Sequence, residues 1–178
     1  MKTPLDEYPR PQLVRDSYLS LNGEWEYAIR DSKEIPNEFD GTIIVPFSPE
    51  TKLSGVNQIL TPEKWLFYRK EADFAGFLEK DKVILHFTAV DQIAEVFVNN
   101  TLVGNHVGGF LPFEFDIKPY LKNDKNIIIV RVQDTTNTSY HSSGKQTLNP
   151  NGIWYPAQSG IYLPVWVEGV SEDYVQNI

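Results

Sequence analysis

Three observations predict an all-β fold, a two-sheet antiparallel β-sandwich of jelly-roll type. First, apolar residues alternate with polar ones over short runs, as at Trp25, Tyr27 and Ile29, which is the pattern of a strand buried on one face. Second, 12 prolines and 11 glycines divide the chain into short segments with turn chemistry between them. Third, no stretch carries the 3.6-residue period of a helix of useful length. About nine strands at this spacing fit two stacked sheets better than any layer of helices.

Taken in order, residues 1–20 read as an irregular arm packing on the sandwich, because Pro4, Pro9 and Pro11 bar a long helix. The sandwich is expected over 21–170, and 171–178 read as the start of a linker. Leu21-Asn22-Gly23 turns into a strand over 24–30, and a polar loop over 31–40 precedes a short strand at 42–45 that Pro46 stops. Residues 47–64 are aperiodic and rich in Pro, Ser, Gly and Asn, and loops of that length are often functional. Strand patterns resume at 65–75, 82–89 and 92–98. Asn99-Asn100 predicts a tight hairpin, since asparagine tolerates the positive φ such turns need. The chain returns over 101–107, breaks at Gly108-Gly109, alternates again over 113–117 and makes a single helical turn near 118–121. The most β-branched strand, 126–134, follows.

A polar run over 135–143 leads into the most distinctive stretch, Gly144 to Glu168. Its first part is a polar, glycine-bearing loop, followed by strand candidates at 153–157 and 161–168. In the second of these Ile161, Leu163, Val165 and Val167 face one way, and Tyr162, Pro164, Trp166 and Glu168 face the other. Aromatic faces can cover the apolar face of a pyranose while Lys, Gln and Asn bond its hydroxyls. Alternatively the aromatics fill the core and the loop is only a connection.

Length and composition set the limits. The 178 residues, 41 % hydrophobic and 22 % charged, suit one globular domain with a substantial core. Lys plus Arg number 16 against 24 Asp plus Glu, a net charge of −8, so nucleic acid and anionic membrane are not expected partners. With no cysteine, disulfides, thiolate metal sites and cysteine nucleophiles are excluded. No apolar run approaches the roughly 20 residues that span a bilayer, and the opening residues lack a signal-peptide pattern; a cytoplasmic or periplasmic protein is expected.

Catalytic chemistry is thin. The glycines at 104, 108 and 109 precede no helix and make no phosphate cradle. His86, His106 and His141 lack metal-ligand spacing, and His86 reads as a satisfied sheet residue. Ser142 and Ser143 beside His141 form no nucleophile elbow. Glycoside hydrolysis needs two carboxylates at about 5 to 9.5 Å. Asp91, Glu95, Asp116, Asp134 and Glu168 are the acids on ordered elements. Asp91 and Asp116 read as turn caps, Glu95 and Glu168 as solvent-facing sheet residues, and no pair shares a catalytic context. No catalytic residue, metal or cofactor is expected in this chain.

Several pieces, in order, resemble the N-terminal sugar-binding domain of glycoside hydrolase family 2, the β-galactosidase, β-glucuronidase and β-mannosidase group. They are Leu21-Asn22-Gly23-Glu24-Trp25, Val45-Pro46-Phe47-Ser48-Pro49-Glu50, Leu53-Ser54-Gly55-Val56, Trp65 with Tyr68-Arg69, Asp91 with Val96-Phe97-Val98-Asn99, and Gly104 with His106 and Gly108-Gly109-Phe110. Pro112-Phe113-Glu114-Phe115-Asp116-Ile117 continues the series. Gly144-Lys145-Gln146, Gly152-Ile153-Trp154-Tyr155, Ser159-Gly160-Ile161-Tyr162 and Val165-Trp166-Val167-Glu168 complete it. The resemblance implies a galactose-binding-domain-like jelly roll that precedes an immunoglobulin-like domain and a (β/α)₈ barrel with two catalytic glutamates. A barrel needs about 250 residues, so neither glutamate has a counterpart here.

The resemblance further implies that the late loop reaches the barrel mouth and forms a subsite for the terminal sugar. Candidate substrate-binding residues are Lys145, Gln146, Asn149, Asn151, Trp154 and Asp134. Some β-galactosidases place in this loop an aspartate that contacts sugar and sodium, where the present segment offers Gln146, Asn149 and Asn151. The expected function is that of a noncatalytic domain of a retaining β-glycosidase, most of all a β-galactosidase-like one, working on carbohydrate with its downstream domains. A self-sufficient carbohydrate-binding module and a sandwich interaction domain without a sugar role are the alternatives.

Overall fold

In the computed structural model, which describes residues 3–178, the alternating runs become strands. Met1 and Lys2, the first residues of the expected arm, lie outside the described residues. In chain order the strands are β1 (Tyr18–Ser20), β2 (Gly23–Arg30), β3 (Gly41–Val45), β4 (Trp65–Ala72), β5 (Lys82–Phe87), β6 (Val90–Asp91) and β7 (Ile93–Val98). They continue as β8 (Thr101–Val107), β9 (Phe113–Asp116), β10 (Asn126–Gln133), β11 (Gln146–Thr147), β12 (Tyr155–Pro156), β13 (Gly160–Ile161) and β14 (Val165–Val170). Among the described residues the helical elements are short 3₁₀ turns, one of them at Lys118–Tyr120 where a helical turn is predicted.

Two antiparallel sheets stack, as the sequence predicts. One has the order β1-β14-β5-β9 and the other β3-β2-β4-β10-β7-β8, while β6 pairs with β13 and β11 with β12 in short two-stranded pieces. Inward side chains such as Trp25, Tyr68, Leu85, Phe87, Val96, Ile128, Val130 and Val167 form the core between the sheets. Burying each large apolar side chain contributes roughly 1.5–3 kcal/mol. Trp25 meets Tyr68 edge-on, with ring centroids 6.3 Å apart, and its indole N–H donates to the Leu21 carbonyl at 2.7 Å. The Asn99-Asn100 hairpin forms with φ of 50° and 68°. β4 stops at Ala72, short of the predicted end, because the Asp73 carboxylate accepts the Ala75 N–H at 2.8 Å and turns the chain.

β14 keeps its predicted alternation of faces, with Val165 and Val167 in the core, but not the exposure of the other face. All six residues are buried, and Glu168, expected to face solvent, is completely enclosed. The reason is the N-terminal arm. β1 pairs with β14 so that Tyr18 lies opposite Glu168, and Arg10 and Arg15 both pair with the Glu168 carboxylate, the latter at 3.3 Å. From the other side His86 on β5 reaches Glu168 at 3.1 Å through Nε2 and Glu114 at 2.9 Å through Nδ1. His86 is thus a satisfied sheet residue, and its ring stacks on Trp166 at 4.8 Å. Glu95 is half-buried and pairs with Arg131, which lies over the rings of Trp65 and Phe97.

Candidate functional site

The candidate site grows from the end of the six-stranded sheet where β10 leaves and β4 and β7 begin. Asp134 terminates β10 by accepting the Thr136 N–H at 2.6 Å, and Thr136 takes a φ of 46°, so the chain turns off the sheet. It returns at Ser159, having made a long polar loop. Inside the loop the predicted strand at 153–157 shrinks to β12, which runs parallel to β11 with Gln146 opposite Tyr155. Pro150 and Gly152 interrupt the backbone before it, and Pro156 cannot donate to a ladder. Three backbone bonds shape the loop: Gln146 N–H to Ser143, Trp154 N–H to Asn151 and Tyr155 N–H to Lys145, at 3.2, 3.0 and 2.9 Å.

Between the limbs of this loop lies a groove of about 450 Å³ lined by Asn137, Ser139, Ser143, Gly144, Gln146, Thr147, Asn149, Asn151 and Trp154. Of the residues predicted for the site, Gln146, Asn149, Asn151 and Trp154 therefore come together. Lys145 is exposed on the same loop but does not line the groove. Asp134 lies beneath it, 1 % exposed, where its second oxygen accepts the Ser159 hydroxyl at 2.7 Å. Trp154 is 48 % exposed, so an aromatic face is open beside a set of amide and hydroxyl groups. Such a lining suits a neutral polyol: amides and hydroxyls both donate and accept, and the indole covers C–H surface.

Three acids underlie the loop. Asp91 on β6 is 2 % exposed and accepts one hydrogen bond, from Gln146 Nε2 at 2.8 Å. Its other oxygen has no hydrogen-bond partner among the described residues. Glu50, from the long 47–64 segment, accepts the N–H groups of Ser159 at 3.0 Å and Leu60 at 3.2 Å. No Lys, Arg or His forms an ion pair with Asp91, Asp134 or Glu50 among the described residues. Burial and then the neighbouring Asp134 charge push the Asp91 carboxyl up to about 7, against the Gln146 hydrogen bond. Burial likewise raises Asp134 and Glu50, although each accepts backbone N–H bonds.

From the sequence Asp91 reads as a turn cap, and Glu50, Ser159 and Gly109 stand in the family-like pieces without being candidate binding residues. One signal is present: Asp91 and Gln92 sit between the apolar pairs Ala89-Val90 and Ile93-Ala94, and an acid there is buried with its neighbours. Gly109 is needed because a side-chain Cβ would sit 2.3 Å from Asp91 Oδ1. The Tyr162 hydroxyl donates to the Gly109 carbonyl at 2.6 Å and fixes that approach. No group of three or more His, Asp or Glu able to hold a metal ion occurs among the described residues.

A two-sheet sandwich carrying a polar, tryptophan-bearing loop at one sheet end defines a β-sandwich binding domain. The family model described as "Glycosyl hydrolases family 2, sugar binding domain" matches residues 57–167, and the chain belongs to this family. A β-galactosidase of Thermoanaerobacter pseudethanolicus is 30% identical over 90% of the chain. A β-glucuronidase of Formosa agariphila is 33% identical over 57%. The chain spans only 22% and 10% of the length of these two relatives. The solved β-D-glucuronidase of Dictyoglomus thermophilum superimposes on 92% of the chain with a TM-score of 0.66 at 23% identity, a likeness of fold, and the chain covers 30% of that structure.

Proposed function

We propose that this domain is the noncatalytic sugar-binding domain of a retaining β-glycosidase, β-galactosidase-like in preference, and that its late loop forms one wall of the substrate site. The observation that carries this reading is the groove itself, where Trp154 stands half-exposed beside Asn149, Asn151 and Gln146. Similarity to a β-galactosidase along nine-tenths of the chain supports the sugar preference. The proposed partners are an immunoglobulin-like domain and a catalytic barrel of the same polypeptide, which complete the pocket. Asn149 and Asn151 bond sugar hydroxyls, Trp154 packs on the ring, and exposed Lys145 bonds either a hydroxyl or a barrel carboxylate.

The test is kinetic. In the intact glycosidase, Trp154→Ala is expected to raise KM for an aryl β-galactoside about tenfold, the loss of one stacking contact, with kcat nearly unchanged. The isolated chain is expected to show little or no binding of simple galactosides and glucuronides, because half the pocket is missing. Unchanged KM in Trp154→Ala overturns the reading. Clear saturation of the isolated chain by a galactoside supports a self-sufficient carbohydrate-binding module instead.

A further inference from the structure

Gln146 borders the groove, yet both ends of its side-chain amide are engaged elsewhere. Nε2 donates to Asp91 Oδ2 at 2.8 Å, and Oε1 accepts the Gln158 N–H at 2.7 Å. The amide's polarity is dictated by its partners. A backbone N–H can only donate, so the oxygen must face Gln158 and the nitrogen must face the carboxylate. One side chain therefore ties the outgoing limb of the loop, its returning limb and an acid that belongs to the sandwich.

Asp91 cannot yield easily to a displaced loop. Gly109 closes against its free oxygen, so near that a Cβ would clash, and Gly109 is itself held by the Tyr162 hydroxyl. Among the described residues Gln146 Nε2 is the single hydrogen-bond donor to the Asp91 carboxylate. Losing it would leave a buried carboxylate with neither donor nor cation, a costly state that the loop avoids by keeping one shape.

We infer that Gln146 is a positioning residue, which fixes the groove by clamping the 146–158 segment to Asp91 and leaves sugar contact to Asn149, Asn151 and Trp154. This deepens the functional reading above and rests on it. The consequence is a division of labour: changing Gln146 alters affinity through loop shape, with little effect on the bond-breaking step.

A donor–acceptor swap in the intact glycosidase tests the inference. Gln146→Glu keeps an acceptor for Gln158 but sets a second carboxyl against Asp91, whereas Asp91→Asn combined with Gln146→Glu restores a donor–acceptor pair with the roles exchanged. At a pH alkaline enough to ionise both facing carboxyls of the single variant, well above the about 7 of Asp91 alone, amide exchange at Gln158 and KM for an aryl β-galactoside are each expected to rise about tenfold. The kcat should change less than about twofold. Both quantities should return towards wild type in the double variant, and in the single variant at about pH 5, where a shared proton bridges the two groups.

Wild-type exchange at Gln158 in the single variant, or no recovery in the double variant, overturns the clamp and leaves the proposed function standing. Faster exchange that recovers in the double variant, with KM unmoved throughout, overturns the proposed function and the groove role of Gln146 with it. If Gln146→Glu does not fold, Gln146→Met removes both bonds at similar volume: wild-type exchange at Gln158 then overturns the clamp, and faster exchange with KM unmoved overturns the proposed function.

Discussion

Glu168 and Asp91 are buried acids of the same sandwich, and they are displaced in opposite directions from ordinary carboxylate behaviour. Glu168 has Arg10, Arg15 and His86 around it. Burial alone would raise its carboxyl, but the hydrogen bonds and charges of His86 and Arg10 bring it down to about 2. Asp91 has one amide donor and two acidic neighbours, Asp134 and Glu50, and rises to about 7. The first cluster fastens a chain segment permanently to the sheet. The second lies under the candidate binding loop, where burial is uncompensated and one hydrogen bond decides the local shape. Burial is therefore not the distinguishing feature; the presence of cations is.

The difference can be broken most forcefully at Glu168. Replacing it with Ala leaves Arg10, Arg15 and His86 without their common partner, and denaturant unfolding should register a loss of about 3–5 kcal/mol, with the arm cut early by protease. Next in size is Gly109→Ala, which drives a methyl group into the Asp91 carboxyl. A loss of about 1–3 kcal/mol is expected in the same measurement, and it should shrink when Asp91 is shortened to Gly.

Asp91→Asn sharpens the comparison through pH. A carboxyl whose folded pKa lies above its unfolded value of 3.8 contributes stability that is complete below about 4 and lost as pH rises through about 7. The variant lacks that loss, so at about pH 8 it should be the more stable protein by on the order of 2 kcal/mol. Glu168 has the reverse sign, its contribution being present above 4.5 and lost as pH falls through about 2. Thermal unfolding from acid to alkaline pH should thus show Asp91→Asn gaining on the wild type as pH rises from about 4 through about 7 and holding that margin above it. The smallest effect on stability is expected from Trp154→Ala, which lies on the loop surface and should shift it by no more than about 0.5 kcal/mol, while the proposed function expects its KM to rise.

Most strands were legible because a half-buried strand writes its two faces into the sequence with period two. β8 was read to the residue, and β2 and β10 to within one position at an end. β14 was misread on one face for a physical reason: Trp166 and Glu168 look outward-facing until an arm distant in sequence covers them, and alternation cannot announce that cover. The candidate site was legible as a set of residues and less so as geometry. Gln146, Asn149, Asn151 and Trp154 fell together because they share one short loop. Asp91, Glu50 and Ser159 come from three separate segments, and only folding brings them beneath that loop. Asp134, grouped with the groove residues in the sequence, supports the groove from below.

The order of strands in the smaller sheet also bears on how the polypeptide is made. β14, the last strand of this domain, lies between β1 and β5, and Tyr8 reaches Glu168 across a separation of 160 positions. A nascent chain still on the ribosome has the flanking strands but lacks the one that joins them. Their unpaired edges stay open until β14 emerges, and so long-range a closure favours slow folding.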